Sequence, residues 1–321
     1  MKFPVFDLHC DTALRLLGDD GNQAGSLKTN QGHIDLTRAK ALPGYCQCFA
    51  CFTTPSMSEK DWYGVSPVVM FEREIATVQR EIDKNKRTIG LVYSPKKIRE
   101  NLEKGKMSAL LTIEGPAGFG FDPELLENLY QIGFRISTLG WNEKNVLTGS
   151  HQTGEGLTDL GKTCVRRCQE LGILVDVSHI SDRGFWDIMD ISQAPVIATH
   201  SNSRALCGHS RNLTDEMFRA IRETGGVVGI NQFAEFLGEN PTLDTICDHI
   251  FHFLELDPEG THVALGGDLD GCSALAEGFR GIESYEALAE RLLERGLTED
   301  MVMNLYWNNA LGVMDAAVQN N

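Results

Sequence analysis

Short apolar runs rich in β-branched and aromatic residues alternate with longer stretches of helical period along the chain. The runs at 5–11 (VFDLHCD), 45–52 (YCQCFACF), 108–115 (SALLTIEG), 134–141 (FRISTLGW), 173–179 (ILVDVSH), 195–201 (PVIATHS), 226–231 (GVVGIN) and 262–270 (HVALGGDLD) predict eight strands. Helical patterns at 125–133, 164–172 and 215–226 fall between them, and two more, at 285–296 and 298–317, follow the last strand. Thr214 ahead of Asp215-Glu216, with Gly225 after the last turn, marks the ends of one of these helices. Nearly continuous apolar strands separated by helices read as a parallel sheet covered on both faces. Eight of them in 321 residues predict an α/β fold, a (β/α)8 TIM-type barrel forming a single domain over 1–321. A doubly wound open sheet would alternate similarly, but no glycine-rich nucleotide fingerprint follows the first strand.

The polar positions inside this pattern carry the chemistry. In FPVFDLHCDT (3–12), Asp7, His9 and Asp11 stand at every second position. Strand alternation puts these three on one face and Phe6, Leu8 and Cys10 on the other, with Asp7 a full pleat deeper, in a supporting role. A half-buried surface strand alternates in the same way, so this run alone decides nothing. The later strand ends decide it, because they close with Glu114, Trp141-Asn142, His179, His200, Asn231, and Asp268 with Asp270. In a barrel, the C-terminal ends of the strands converge on one mouth, and active sites sit there. One histidine of this kind is usually a satisfied core residue. Three of them with several carboxylates, and no serine elbow or catalytic-cysteine motif, form a ligand set for divalent metals.

Composition narrows the reading. With 42% apolar and 23% charged residues the chain has the makings of a sizeable core, and its net charge of -16 argues against nucleic acid as a partner. No run approaches a membrane span, and neither a targeting segment nor a lipid-anchor tail is evident; the expectation is a soluble, cytoplasmic protein with no membrane partner. The nine cysteines, mostly within apolar patterns, suit reduced buried thiols. Cys46 and Cys48 would share a strand face and Cys51 the opposite one, and no second pair lies at zinc-ribbon spacing, so a cysteine metal site is not expected.

The segments FDLHCDT, TIEGP, LVDVSHIS, IATHSNSRALCGHSRN and ALGGDLDG, in this order and at matching strand ends, resemble the membrane (renal) dipeptidase family of zinc peptidases. The similarity runs from the first strand to the closing helices. That family consists of amidohydrolase-like (β/α)8 barrels with two zinc ions that cleave dipeptides. The resemblance implies two Zn2+ per chain, one on His9 and Asp11, the other on His179 and His200, with Glu114 as the bridge. It implies Asp268 as the catalytic proton carrier, Arg211 as the cation that binds the substrate's C-terminal carboxylate, and a metal-bridging hydroxide as nucleophile. One departure stands out. Animal members end the fourth strand with a histidine that contacts substrate, whereas STLGWNEKN offers Gly140-Trp141-Asn142. Trp141 and Asn142 are therefore carried as substrate-binding candidates, with His151 from the same loop as another and Asp270 as an orienting residue. The animal enzymes are membrane-anchored and disulfide-linked, and neither feature is signalled here. The expected partner is a small dipeptide, and a homodimer is compatible with the sequence. The alternatives are a binuclear-metal hydrolase of another amide or ester, such as an N-acyl amino acid or a lactone, and a non-catalytic metal-binding barrel.

Overall fold

Eight parallel strands curl into a ring in the computed structural model, which describes residues 2–17, 25–59 and 63–319. In chain order the strands are β1 (Val5–Cys10), β2 (Tyr45–Phe52), β3 (Ile89–Leu91), β4 (Met107–Glu114), β5 (Phe134–Thr138), β6 (Leu174–Asp176), β7 (Val196–Ile197), β8 (Val228–Ile230) and β9 (Val263–Leu265). They pair in the order β7-β6-β5-β4-β2-β1-β9-β8, with β3 off this path beside β4. A parallel bridge between Ala198 and Val228 joins the two ends, and the Gly229 N–H donates to the Ala198 carbonyl at 2.8 Å. At this seam Gly229 and Gly266 pack against the Thr199 carbonyl so closely that a Cβ on either would collide with it. The architecture is the expected (β/α)8 barrel.

All eight predicted strands form, and most stop short of the apolar run that announces them. The ladder ends where the chain bends to turn side chains into the mouth. His179, Asp268 and Asp270 take left-handed φ values of 70°, 55° and 68°, which residues other than glycine adopt rarely and often at functional sites. The three-residue β3 was not expected. The helices Leu126–Ile132, Asp159–Leu171, Asp215–Glu223 and Tyr285–Glu294 answer to predicted patterns, and Pro67–Lys84, Pro95–Glu103, Asp182–Ile191 and Leu243–Leu256 complete the outer layer. Ser66, Thr158, Ser181 and Thr214 each cap a helix by accepting the N–H three residues on.

Alternation sorts the strands into two layers. Phe6, Leu8, Cys46, Cys48, Leu110 and Ile136 fill the barrel with Trp307, Ala310 and Met314 from the C-terminal segment. Val5, Cys10, Phe49, Cys51 and Phe134 face the outer helices, where Phe134 stacks on Phe71 at 5.4 Å. Cys46 and Cys48 thus share a face and Cys51 does not, and all nine cysteines are free. The stretch 298–317, read as one helix, contains a π turn, Asn304–Asn308, between Glu299–Met303 and Asn309–Gln319. The wider turn buries Leu305, Tyr306 and Trp307 in succession. Tyr306 donates to the Tyr285 carbonyl at 2.8 Å, while Trp307 packs 5.8 Å from Phe6 and closes the barrel floor. Among the described residues no helix is long and apolar enough to cross a membrane.

β1 corrects one expectation. Asp7 pairs with Gln47 and Cys10 with Phe49, so three steps on β1 match two on β2. This bulge puts Leu8 and His9 on the interior side together and leaves Asp7 on the outer side. Asp7 does not share a face with His9 and Asp11. Its buried carboxylate accepts from the Tyr285 hydroxyl, from the Gly267 N–H at 3.1 Å and from the His9 N–H at 2.9 Å.

Candidate metal centre

Three histidines and three carboxylates meet at the mouth, all buried. His9 and Asp11 come from the end of β1, Glu114 from β4, His179 from beyond β6, His200 from beyond β7 and Asp268 from beyond β9. Glu114 Oε2 lies 3.4 Å from His9 Nε2, which is also 3.4 Å from Asp11 Oδ2. The other Glu114 oxygen, Oε1, lies 3.0 Å from His179 Nε2 and 4.0 Å from His200 Nε2. Donor atoms within 4.8 Å of one another form three overlapping triads: His9–Asp11–Glu114, Glu114–His179–His200 and His9–His200–Asp268.

The protein atoms leave this cluster incomplete in a way that suits cations. His9 Nε2 is buried without a hydrogen-bond partner, a costly state for a ring nitrogen. His179 and His200 face each other Nε2 to Nε2 at 2.9 Å. Their partners assign the ring protons to the far nitrogens. Asn142 Oδ1 accepts from His179 Nδ1 at 2.8 Å. Thr199 Oγ1 gives its proton to Asp176 and so accepts from His200 Nδ1 at 2.7 Å. Both Nε2 atoms therefore turn lone pairs toward the same region, as metal-binding imidazoles do.

Electrostatics point the same way. Burial, helped by Arg211 and His9, keeps His179 and His200 neutral by lowering their pKa values well below the usual one. Burial also opposes charge on His9, but Glu114 and Asp11 outweigh it and raise its pKa. Burial and the neighbouring Glu114 push Asp11 up to about 7, while His9 holds Glu114 below its usual range in spite of burial. A crowded acid that retains its proton in this way, as Asp11 does, exchanges it for a divalent ion.

The sequence model of the membrane dipeptidases, peptidase family M19, matches residues 1–321. The chain belongs to this family. A metallopeptidase of Rhodobacter sphaeroides, liganded with a phosphinate mimic of the dipeptide L-Ala-D-Ala, has the same fold at a TM-score of 0.86 and 26% identity, over 98% of this chain and 99% of that one. A dipeptidase described as an M19 metallopeptidase gives 0.87 and 27%, over 99% of each chain. An uncharacterized dipeptidase of Schizosaccharomyces pombe is 27% identical over 97% of this chain and 80% of its own length. As an M19 member the protein is a metallo-dipeptidase, a hydrolase acting on peptide bonds.

Beside the histidine and carboxylate cluster of this M19 dipeptidase lies a cavity of about 610 Å³, within the range of small-molecule sites. Asp11, Glu114, His179 and Asp268 form its polar wall, and Trp141 and Asn142 also line it. Burial pushes Asp268 up to about 6 against the pull of His9, and Asn231 donates to its Oδ2 at 3.0 Å. Arg211 is buried, and its terminal nitrogens donate to Ser201 Oγ at 3.3 Å and the His200 carbonyl at 3.1 Å. Its Nε has no partner, and no carboxylate pairs with it among the described residues. Its guanidinium lies 5.4 Å from the ring centre of Phe236, which does line the cavity.

Every expected ligand and Asp268 converge. Asn142, expected to touch substrate, spends its carbonyl on two histidines, accepting also from His151 Nε2 at 2.9 Å. His151 in turn meets Ser210 Oγ at 2.8 Å, and burial with Arg211 pushes it down to about 3. Asp270 accepts from the Thr12 hydroxyl at 2.7 Å and the His33 N–H at 2.6 Å, tying the β1 and β9 loops together. Sequence reasoning did not single out Asp176 and Thr199, which orient His200. The signal was there in Asp176, a charged residue at the centre of the apolar run before His179.

Proposed function

We propose that this M19 enzyme hydrolyses dipeptides with a free C-terminal carboxylate, using two zinc ions per chain and the whole chain as one barrel domain. The observation that carries the reading is Glu114, whose two oxygens face different ligand triads, one with His9 and Asp11 and the other with His179 and His200. Those residues would hold the ions, with Glu114 between them. Bound zinc supplies Lewis acidity that brings the pKa of water toward neutrality and polarises a carbonyl. Asp268, raised to about 6 and steadied by Asn231, is suited to take a proton from water and return it to the leaving amine. Arg211 has a buried charge that no carboxylate meets in a direct ion pair among the described residues, a costly state that a substrate carboxylate relieves by paired charged hydrogen bonds. The dipeptide mimic on the Rhodobacter sphaeroides enzyme supports the substrate class and brings L,D stereoisomers into the test.

The test is metal analysis together with kcat/KM on a panel of L,L and L,D dipeptides and their amides. The expected content is about two divalent ions per chain. Arg211→Met should lower kcat/KM for free dipeptides by about 2–5 kcal/mol, the range for breaking a buried charge pair, or roughly 30-fold to several thousand-fold. Dipeptide amides should be poor substrates for the parent and lose little more. Amides cleaved as well as free acids would instead favour a broader hydrolase of small amides or esters.

A further inference from the structure

We infer that the end of the cavity formed by Leu14, Phe52, Tyr63 and Trp141 receives the side chain of the substrate's N-terminal residue and selects large apolar ones; this rests on the dipeptidase reading and on Arg211 as carboxylate clamp. The direction follows from the ring. β8 stands three strands from β2 one way round and three from β5 the other way. Phe233 and Phe236 follow β8, and Arg211 comes from the loop between β7 and β8, so all three lie across the mouth from Phe52 at the end of β2 and Trp141 beyond β5. A dipeptide with its carboxylate at Arg211 and its amide carbonyl beside Glu114 and Asp268 places its C-terminal residue toward Phe236. Its N-terminal residue then projects toward Phe52 and Trp141.

That end is built as an apolar wall. The Phe52 and Trp141 rings meet edge to face at 5.0 Å. Behind them Leu17, Met57 and Met70 are buried, forming with Phe52 an apolar cluster separate from both the barrel interior and the helix layer. Leu14 is half-buried at the rim. The four lining side chains carry no charge, and the nearby Arg15 and Asp270 face each other at 3.4 Å. An apolar substrate side chain gains burial here, whereas a charged one loses water without gaining a partner.

The experiment measures kcat/KM on the metal-loaded enzyme for Ala-Ala, Leu-Ala, Phe-Ala and Glu-Ala, and for Ala-Leu and Ala-Phe as controls. The parent should prefer Leu-Ala and Phe-Ala over Ala-Ala by about 10- to 100-fold and disfavour Glu-Ala. Phe52→Ala should bring the Phe-Ala to Ala-Ala ratio down by about tenfold and leave the Ala-Phe to Ala-Ala ratio in place. Leu14→Ala, at the rim and outside the packed core, should shift the same ratio in the same direction by a smaller factor, which keeps the test open if Phe52→Ala fails to fold. Equal losses on small and large N-terminal residues, or movement of the C-terminal ratio instead, would overturn the assignment. Dipeptides cleaved without any N-terminal preference would refute this inference and leave the dipeptidase reading standing, and no cleavage of any dipeptide would refute both.

Discussion

Glu74 lies on the helix Pro67–Lys84, wholly buried, and neither of its oxygens accepts a well-formed hydrogen bond. Burial, with Asp11 and Glu114 adding to it, raises its pKa well above the ordinary carboxylate value. A carboxyl of this kind stays protonated in the folded chain while the unfolded chain ionises. Its contribution to stability is complete below the unfolded pKa and is lost as pH rises toward the folded one. Glu74→Gln should therefore stabilise the protein increasingly from pH 5 to pH 8, by up to about 1.4 kcal/mol per pH unit, as read from denaturant unfolding of both proteins across that range. A difference that stays constant with pH would show Glu74 to be ionised in the fold. At this scale the candidate ligands were legible because each closes an apolar run, and strand ends converge whatever the loops do. Arg211 had no such signal. It sits in a loop without period, and only the resemblance marked it. Thr199 looks like any β-branched strand residue, so its bond to His200 was invisible until β6 and β7 lay side by side.

At the scale of elements, the pattern failed where local geometry overrides period. The bulge in β1 inserts one step between Asp7 and Cys10, and strict alternation cannot register it. The helix Pro67–Lys84 was not singled out, and its inward face includes Glu74, Thr77 and Glu81 among the apolar positions, which blurs the stripe. β3 is three residues long, too short for alternation to show. The π turn hid because a run of three bulky residues fits a helix pattern as well as it fits a widened turn. That turn makes Trp307 the stopper of the barrel floor, at the end opposite the histidine and carboxylate cluster. Trp307→Ala should cost about 3–5 kcal/mol of stability, the usual range for removing a large buried aromatic ring, while the folded variant keeps its metal. Chemical denaturation and metal analysis on the same preparation check both halves. Loss of metal at full stability would place Trp307 in a different role.

For the whole molecule, the mouth gathers Asp11, Glu114 and Asp268 in a chain already at -16, and divalent cations held there by the folded form alone would offset that crowding. Chelation should lower the unfolding temperature and readdition of zinc should restore it. Free metal at a thousand times its dissociation constant corresponds to about 4 kcal/mol. Equal calorimetric midpoints with and without chelator would show that the mouth is closed without ions. The barrel as a whole was legible because eight apolar runs and the helices between them leave few other parallel arrangements. Its seam was not, since it depends on Gly229 and Gly266 making room for the Thr199 carbonyl. Any base change that replaces either glycine adds a Cβ that the carbonyl cannot admit. These two codons are closed to neutral drift, so inheritance would guard them as strictly as the histidine codons, although neither glycine has a side chain to offer a metal or a substrate.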